Sequence, residues 1–226
     1  MRALLDWLLP PRCGGCGALG SWFCPACRTL IRPLREPICA LCGRELEVRG
    51  EACRCRRRLR ALEAVRSAAA YEGPLERAIH RLKYQGRRPL ARVLAELLVV
   101  RFEPFLQPEA ILLPVPLHRR RRRQRGFNQS RLLVDELRRA WPAGSARGRL
   151  VRCRDTRSQV GLDRAQRRRN VEGAFRWRGP DLEGRPVLLV DDVITTCATV
   201  EACARALRKG GAGDVRALSV ARVNAG

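Results

Sequence analysis

Short apolar runs recur along the second two-thirds of the chain and predict the strands of a sheet. The run over residues 187–190, with Val193 just beyond it, is continuous rather than alternating, which is typical of a buried parallel strand. Further strands are predicted over residues 110–115 and 214–220. Residues 62–73 predict a first strand or hairpin that ends at Gly73, and residues 150–153 predict another strand.

Between these runs, apolar residues recur at intervals of three and four, the period of an amphipathic helix. Pro74 stands at a favourable first helical position before one such face. The four faces contain Leu75, Ala78, Ile79 and Leu82; Leu90, Val93, Leu94, Leu97 and Leu98; Leu133, Leu137 and Trp141; and Val200, Cys203, Ala204 and Leu207. Strands that alternate with helices predict an α/β fold, with a parallel sheet and helices on both faces.

The stretch VLLVDDVITTCAT, residues 187–199, combines a strand with candidate chemistry. Asp191 and Asp192 fall at the carboxyl end of the predicted strand, where α/β sheets build ligand sites. The small residues before the next helix are Thr195, Thr196, Cys197, Ala198 and Thr199. Such a loop brings backbone N–H groups and a positive helix end to a phosphate, while carboxylates accept hydrogen bonds from sugar hydroxyls. The stretch therefore predicts a site for ribose 5-phosphate; the alternative is a buried strand with a solvated acidic turn.

This stretch resembles the phosphoribosyl pyrophosphate (PRPP) signature of type I phosphoribosyltransferases. The resemblance implies that Asp191 and Asp192 hold the ribose hydroxyls and that residues 195–199 hold the 5-phosphate. The family usually has glycine at the position of Cys197, and glycine permits tight backbone curvature. Two outcomes stay open here: the cysteine side chain crowds the phosphate, or the loop tolerates it.

Basic residues far outnumber acidic ones: 46 Lys and Arg against 22 Asp and Glu give a formal net charge of +24. Such a surplus makes polyanions natural partners, either nucleic acid or phosphate-rich small molecules. Residues 119–123 are five consecutive arginines in a predicted loop. Contacts to pyrophosphate or DNA are predicted for His118, Arg119, Arg120, Arg125 and Asn128. The alternative is a solvated basic loop.

Residues 154–177 are mostly polar and show no clear periodicity. A long polar loop inside a compact domain is usually functional or mobile. We therefore predict a flexible loop that closes over a bound ligand. Its candidate polar contacts are Arg157, Gln159, Arg164, Arg168 and Asn170.

Cysteines cluster near the N-terminus in three CxxC pairs followed by one CxC. CxxC places two thiolates on one tight turn, and two such turns complete a tetrahedral structural zinc site. In sequence order they predict one ion at Cys13, Cys16, Cys24 and Cys27 and a second at Cys39, Cys42, Cys53 and Cys55. We predict a small cysteine-rich zinc ribbon domain over residues 1–60, followed by the α/β domain over residues 61–226.

No apolar run approaches the ~20 residues that a membrane-spanning helix needs, so no membrane insertion is expected. The start, MRALLDWLLPPRC, carries Asp6 within its apolar part and lacks a convincing cleavage site. It predicts a short docked helix that ends before Pro10. A cytoplasmic location follows, where thiols stay reduced and the cysteines favour zinc over disulfides.

The segments PVPLHRRRRRQRGFNQS and RDTRSQVGLDRAQRRRNVEGAF, with the signature stretch and the cysteine-rich region, resemble the ComF family of competence-associated proteins. The resemblance extends over nearly the whole chain. It implies a double zinc ribbon fused to a type I phosphoribosyltransferase domain that binds PRPP with magnesium. It also implies a role in handling single-stranded DNA during natural transformation, with other competence proteins as partners.

Two hypotheses about the site stay open. In the first, the chain is a phosphoribosyltransferase: a nucleophile displaces pyrophosphate from ribose C1. Magnesium held mainly by substrate oxygens, together with arginines, would stabilise the leaving group. The sequence identifies neither a general base nor the acceptor nucleophile. In the second, the domain binds PRPP or DNA without turnover, as a non-catalytic nucleic-acid-binding module.

Overall fold

The computed structural model describes residues 10–102, 105, 107, 109–141, 143–156 and 163–223. Four strands form one sheet in the spatial order β1-β6-β5-β2, and all neighbouring strands run parallel. They are β1 (Ala64–Ala70), β2 (Ile111–Pro114), β5 (Val187–Ile194) and β6 (Val215–Arg222). The predicted parallel sheet is confirmed, and the strand with the two aspartates lies in its interior.

Helices cover both faces of this sheet, as predicted. On one face lie α2 (Gly73–Gln85), α3 (Leu90–Phe102) and α5 (Gln129–Ala140), which share a core with Val190. The opposite face is covered by α7 (Ala198–Arg208), which shares a core with Leu189. The side chains of neighbouring residues in a strand point to opposite faces of the sheet, so Leu189 packs in one core and Val190 packs in the other.

The central strand is longer than its apolar run predicts. β5 continues through both aspartates to Ile194, because β6 runs beside it as far as Arg222. On the other side β2 ends at Pro114, and Pro116 has no N–H group with which to extend the ladder. Asp191 and Asp192 therefore lie within the strand rather than after it, at the point where the β2 neighbour has ended.

Two segments predicted to be loops contain regular structure instead. Residues 119–125 form the helix α4 (Arg119–Arg125), which Gly126 ends with a φ of 81°. The long polar segment contains the helix α6 (Arg164–Val171), started by a capping box of Asp163 and Gln166. It also contains the strand β4 (Phe175–Arg178). Both helices are almost wholly polar, so apolar periodicity gave no signal for them.

The strand predicted at residues 150–153 exists as β3 (Arg149–Arg152), but it does not join the parallel sheet. It pairs antiparallel with β4 in a separate two-stranded sheet, where Leu150 lies opposite Trp177. Leu150 and Phe175 are buried in the core that includes α7. This small sheet thus closes the α7 side of the domain.

The second ribbon, residues 39–55, docks on β1, an edge strand of the parallel sheet. Val65 N donates a hydrogen bond of 2.7 Å to Leu41 O. Gly43 has a φ of 70°, and a Cβ atom on it would lie 2.3 Å from Val65 O, so this close approach requires glycine. Because edge strands expose unpaired backbone groups, the ribbon both covers the edge and satisfies part of it.

The first ribbon, residues 12–29, ends in the short helix α1 (Pro25–Thr29) and docks on α2. Arg77 Nε donates to Gly15 O over 2.7 Å, and Arg81 Nη1 donates to Cys13 O over 2.6 Å. The backbone of this ribbon is therefore held by side chains of the α/β part.

The linker between ribbon and sheet is held by a buried carboxylate of α7. Glu201 accepts hydrogen bonds from Arg60 N at 3.1 Å and from Ala61 N at 3.3 Å. Its other contact is the Nε of Arg205, 2.9 Å away. The predicted boundary between the two domains, residues 1–60 and 61–226, falls at this linker. Because these contacts join the two parts across it, the boundary stays a prediction.

Helices in the described ranges are short, and α2 and α3 have 13 residues each. None of them is both long and apolar enough to cross a bilayer. The helix predicted before Pro10 lies outside the described residues.

Candidate functional site

The loop between β5 and α7, residues 195–199, contains the residues predicted to contact a 5-phosphate, and we call it the phosphate loop. Cys197 caps the N-terminus of α7 with φ 62° and ψ 3°, in the left-handed region. A residue other than glycine is uncommon in that region. The family that the stretch resembles usually has glycine at this position. The backbone of Cys197 adopts the conformation that favours glycine.

The Cys197 side chain is packed into the protein. Its Sγ atom lies 3.7 Å and 3.8 Å from the two terminal nitrogens of Arg222 and 3.9 Å from Cys42 O. Burial raises the pKa of this thiol, and the Arg222 charge offsets only part of the rise. The sulfur is thus held between the last strand and the second ribbon as a neutral thiol.

Asp191 and Asp192, the acid pair, are held in place mainly by the N-terminus of α5. Ser130 Oγ donates to Asp191 Oδ1 over 2.8 Å, and Gln129 Nε2 donates to Asp192 Oδ1 over 3.5 Å. Lys83 of α2 adds a buried ion pair, with 2.6 Å between its Nζ and Asp192 Oδ2. These contacts fix the orientation of both carboxyl groups before any ligand binds.

The surroundings of Asp191 favour its protonated form. Dense surrounding protein raises the pKa of Asp191 to about 8, and the neighbouring Asp192 charge adds to the rise. Lys83 and the Ser130 hydroxyl oppose it only in part. Burial lowers the pKa of Lys83, but its ion pair with Asp192 outweighs burial, so this pKa is raised overall. At neutral pH Asp191 therefore holds its proton to a large extent, and the ammonium group of Lys83 lies against Asp192.

A cavity of about 270 Å³ is lined by the acid pair, by part of the phosphate loop and by five basic side chains. The basic side chains are those of Lys83, Arg121, Arg125, Arg152 and Arg167. Arg125 is fixed by a 2.6 Å hydrogen bond to Gln129 and by stacking on the Tyr84 ring. The Nε of Arg152 is buried without a hydrogen-bond partner in the described part of the chain. Guanidinium groups of this kind suit pyrophosphate oxygens.

The residues predicted to contact pyrophosphate or DNA do not all lie in the same place. Arg125 lines the cavity, whereas Arg119 and Arg120 are exposed on the outer side of α4. His118 is buried, caps α4, and lies 3.1 Å from Asp155. Asn128 caps α5 and donates a hydrogen bond to Val115 O over 3.0 Å.

The predicted flexible-loop contacts are only partly described. Arg157 and Gln159 lie outside the described residues, as does the side chain of Arg164, the first residue of α6. Arg168 is exposed, and the backbone carbonyl of Asn170 accepts a hydrogen bond from Arg154 over 3.3 Å.

Sequence reasoning missed four residues of this site: Lys83, Gln129, Ser130 and Arg152. Lys83 is one of just two lysines among 46 basic residues, which was a usable signal. Gln129 and Ser130 belong to the RGFNQS segment, whose cap position could have indicated a helix N-terminus. Arg152 reaches the cavity from the second sheet, and no local pattern indicates that.

The eight N-terminal cysteines form the two predicted groups, and within each group the Sγ atoms lie within 4.8 Å of one another. Zn–S bonds of ~2.3 Å in a tetrahedron place the sulfurs about 3.8 Å apart. The observed separations are 3.7 Å for Cys16–Cys24, 3.6 Å for Cys39–Cys55 and 3.7 Å for Cys42–Cys53. The residues present therefore fit two structural zinc ions.

One thiol in each group ionises readily. Burial opposes ionisation of Cys13, but three backbone N–H groups lower its pKa to about 6. Burial also opposes ionisation of Cys53, and Arg44 Nε, 3.2 Å from its sulfur, leads the contacts that lower its pKa to about 6. Burial, in contrast, raises the pKa of Cys27 and of Cys55 to about 12. Because thiolates are the zinc-binding form, these thiols would release their protons when metal binds.

Comparison with known proteins identifies the ribbon region and finds relatives of nearly the whole chain. Residues 4–58 match the Double zinc ribbon domain family. The chain is 34% identical over 212 residues to "DNA utilization protein YhgH" of Escherichia coli (strain K12), covering 91% of this chain and 92% of that protein. It is 33% identical over 208 residues to "Competence protein F" of Haemophilus influenzae, covering 88% and 90%. For "Competence protein ComFC" of Bacillus subtilis (strain 168), the identity is 28% over 207 residues, covering 88% and 83%.

The fold and the cysteine sites thus define a class of protein. Its members have a cysteine-rich double zinc ribbon followed by a phosphoribosyltransferase-like parallel α/β fold. Within that class, the chain belongs to the ComF family.

Two zinc ions per chain are expected in metal analysis of the purified protein. Cys13→Ser and Cys42→Ser should each lower the content by about one ion and reduce solubility, because structural zinc binding is folding free energy. The matched control is Cys153→Ser, which removes an exposed cysteine outside both groups. Wild-type protein with intact thiols and well under one ion per chain would contradict the assignment.

The raised pKa of Asp191 predicts how stability depends on pH. Between its ordinary value of 3.8 and about 8, folded protein holds a proton that the unfolded chain releases. The free energy of unfolding should therefore fall as pH rises through that window. Asp191→Asn removes this effect, so it should raise the Tm at pH 8, by ~2–4 °C per kcal/mol, and much less at pH 5.

Thermal melts at several pH values test this expectation, with the exposed Asp214→Asn as the control for lost charge. A Tm difference between Asp191→Asn and wild type that is the same at every pH would show that Asp191 is ionised throughout.

Proposed function

We propose that the cavity binds PRPP and that the chain handles single-stranded DNA during DNA uptake. The observation that carries the first part is the left-handed Cys197 backbone, in the loop that follows the strand of an acid pair whose carboxyl groups are already oriented. A turn of this kind directs successive N–H groups to one point, where a 5-phosphate is stabilised by them and by the α7 dipole.

The rest of the ligand is assigned by charge. The ribose hydroxyls donate to Asp191 and Asp192, which accept hydrogen bonds at the edge left free by β2. The pyrophosphate lies against Arg121, Arg125 and Arg152, which line the same cavity and supply positive charge. Thr195 and Thr199 line the same cavity and add hydroxyl donors near the 5-phosphate.

Of the two carboxyl groups of the acid pair, one is better placed to bind magnesium. Asp192 is paired to Lys83, whereas Asp191 has no ion-pair partner among the described residues. We therefore assign the ion mainly to ligand oxygens, with Asp191 as the carboxylate able to approach it once deprotonated. When bound, magnesium would neutralise part of the pyrophosphate charge.

Two observations support the proposal that the chain handles DNA: the names of its relatives and the positive charge of exposed arginines. The relatives above are named for DNA utilization and for competence. Arg119, Arg122 and Arg123 project from the outer side of α4, where they are exposed. Phosphate backbones bind such surfaces with little regard to sequence. We place this activity in the cytoplasm, where reduced thiols keep zinc bound and other competence proteins are the natural partners.

Turnover is the alternative to binding alone. Release of pyrophosphate from PRPP in the presence of candidate acceptors would make the chain a phosphoribosyltransferase. Binding without release would make it a PRPP-responsive module on the same fold. The buried Lys83–Asp192 pair favours a site built to hold its ligand, since it neutralises the carboxylate.

Calorimetric titration with PRPP and magnesium tests the cavity. Asp192→Asn removes a charged acceptor and should weaken binding about tenfold to a hundredfold, because a charged hydrogen bond contributes about 1.5–3 kcal/mol. Cys197→Gly should leave affinity level or lower, since the sulfur is already held by Arg222 and glycine adds backbone freedom. The control is the exposed Cys153→Ala.

Two results would count against the PRPP proposal. If wild-type protein binds neither PRPP nor ribose 5-phosphate at millimolar concentration, the fold assignment stands but PRPP is not its ligand. Much tighter binding by Cys197→Gly would show instead that the cysteine does crowd the phosphate. Thermal melts of Asp192→Asn separate lost affinity from lost folding, because that change leaves Lys83 buried without its partner.

Affinity for single-stranded DNA should fall steeply as salt rises. Replacing Arg119, Arg122 and Arg123 with alanine should reduce the log–log salt slope by up to ~2, because each phosphate contact on a single strand contributes ~0.7. The matched control removes the same charge from the second sheet: Arg149, Arg176 and Arg178 to alanine, all exposed.

Equal loss of slope in both triple variants would mean that DNA binding is spread over the whole surface. An unchanged slope in the α4 variant would move the DNA surface elsewhere. Trp22 of the first ribbon would then be the stacking candidate, since Phe23 beside it is buried.

A further inference from the structure

A second and larger cavity, of about 650 Å³, adjoins the phosphate loop. It opens between the second ribbon and the carboxyl ends of β5 and β6. Thr195 and Cys197 contribute to both cavities, whereas Thr196 lines only this one. Its volume suits a ligand of the size of one nucleotide.

Two arginines of the second ribbon give this cavity a positive rim. Arg54 and Arg58 stand at the two ends of a single 3₁₀ turn, and both are exposed and line the cavity. Neither guanidinium group has a hydrogen bond or ion pair within the described ranges. Arg44 differs, because it is engaged by Glu51 and Cys53. Arg54 and Arg58 are therefore free to bind an incoming anion.

Carboxylates at the rim reduce the positive charge only slightly. Glu45 reaches the cavity but is paired with Arg32 over 2.7 Å. Glu47 is exposed and stands among more arginines than acids.

The inner end of the cavity has an unsatisfied donor. Thr196 Oγ1 is buried and has no hydrogen-bond partner in the described part of the chain. Such groups are uncommon, because burying a hydroxyl without a partner costs about 1–3 kcal/mol. A ligand oxygen that reaches Thr196 would relieve that cost. Leu46, Leu59 and Val223 supply apolar lining to the same cavity.

We propose that this cavity binds one nucleotide unit of single-stranded DNA next to the phosphate loop. Its phosphate is held by Arg54 and Arg58, and its base packs on Leu46 and Leu59, with a polar base or sugar atom at Thr196. The inference rests on the proposed handling of DNA for the source of the nucleotide. It does not depend on PRPP binding in the other cavity.

The probe is thymidine 5'-monophosphate, titrated calorimetrically at low salt into the full-length zinc-loaded protein. The double variant R54A/R58A should bind it at least about tenfold more weakly, since two charged contacts to phosphate are lost. The matched control is R56A/R57A, which removes the same charge from the same turn at positions that do not line the cavity. Zinc content of both variants confirms that Cys53 and Cys55 still hold metal.

Two further measurements make the result specific. Thymidine without phosphate should bind much more weakly than the monophosphate. A 5'-phosphorylated octathymidylate should displace the monophosphate. Arg54 and Arg58 line this cavity and not the other one, so the loss in R54A/R58A reports on this cavity.

Equal losses in R54A/R58A and R56A/R57A would overturn the proposal, because the effect would then be one of general charge. No binding of the monophosphate by wild type at millimolar concentration would overturn it, as would an octathymidylate that fails to compete. Failure of PRPP to bind would leave each of these results unchanged, so the two proposals fail separately.

Discussion

The buried guanidinium of Arg222 joins three parts of this protein that are far apart in sequence. Its Nη1 donates to Cys42 O over 2.8 Å, which fixes a knuckle of the second ribbon. Both terminal nitrogens also contact Cys197 Sγ, at the turn of the phosphate loop. Arg222 is itself the last residue of β6 and lies beside Ile194 of β5. This one side chain therefore connects the sheet, the zinc ribbon and the phosphate loop.

This arrangement explains how a cysteine occupies a position whose backbone favours glycine. A side chain in the left-handed region costs of order 1–3 kcal/mol and persists only where its surroundings hold it. Here the surroundings are Arg222, the Cys42 carbonyl and the core around α7. Glu201, one turn along α7, adds a second fixed point by holding the linker at residues 60 and 61. The ribbon is thus part of the support of the phosphate loop, and loss of zinc at Cys42 would loosen that support.

Local patterns in the sequence were enough for the sheet, the flanking helices and both cysteine groups, because each depends on spacing within one short segment. The polar helices α4 and α6 were missed because they bury few apolar residues, although Asp163 and Gln166 form a recognisable capping box. Residues 150–153 were predicted as a strand, but which sheet they join depends on β4, far along the chain. The same limit applies to Lys83, Ser130 and Arg152, whose roles exist only when three distant elements meet at the acid pair.

The run of five arginines shows how one sequence feature serves two surfaces. Along α4, Arg121 and Arg125 are four residues apart and face the cavity, while Arg119, Arg122 and Arg123 face solvent. The two sets are separated only by the width of one helix, ~10 Å, which is close to the screening length at physiological salt. A highly charged anion in the cavity would therefore lower the positive potential that DNA meets on the outer side. If the chain binds both proposed ligands, PRPP and DNA need no shared contact to affect each other: each would weaken the other modestly across this helix, and more so at low salt.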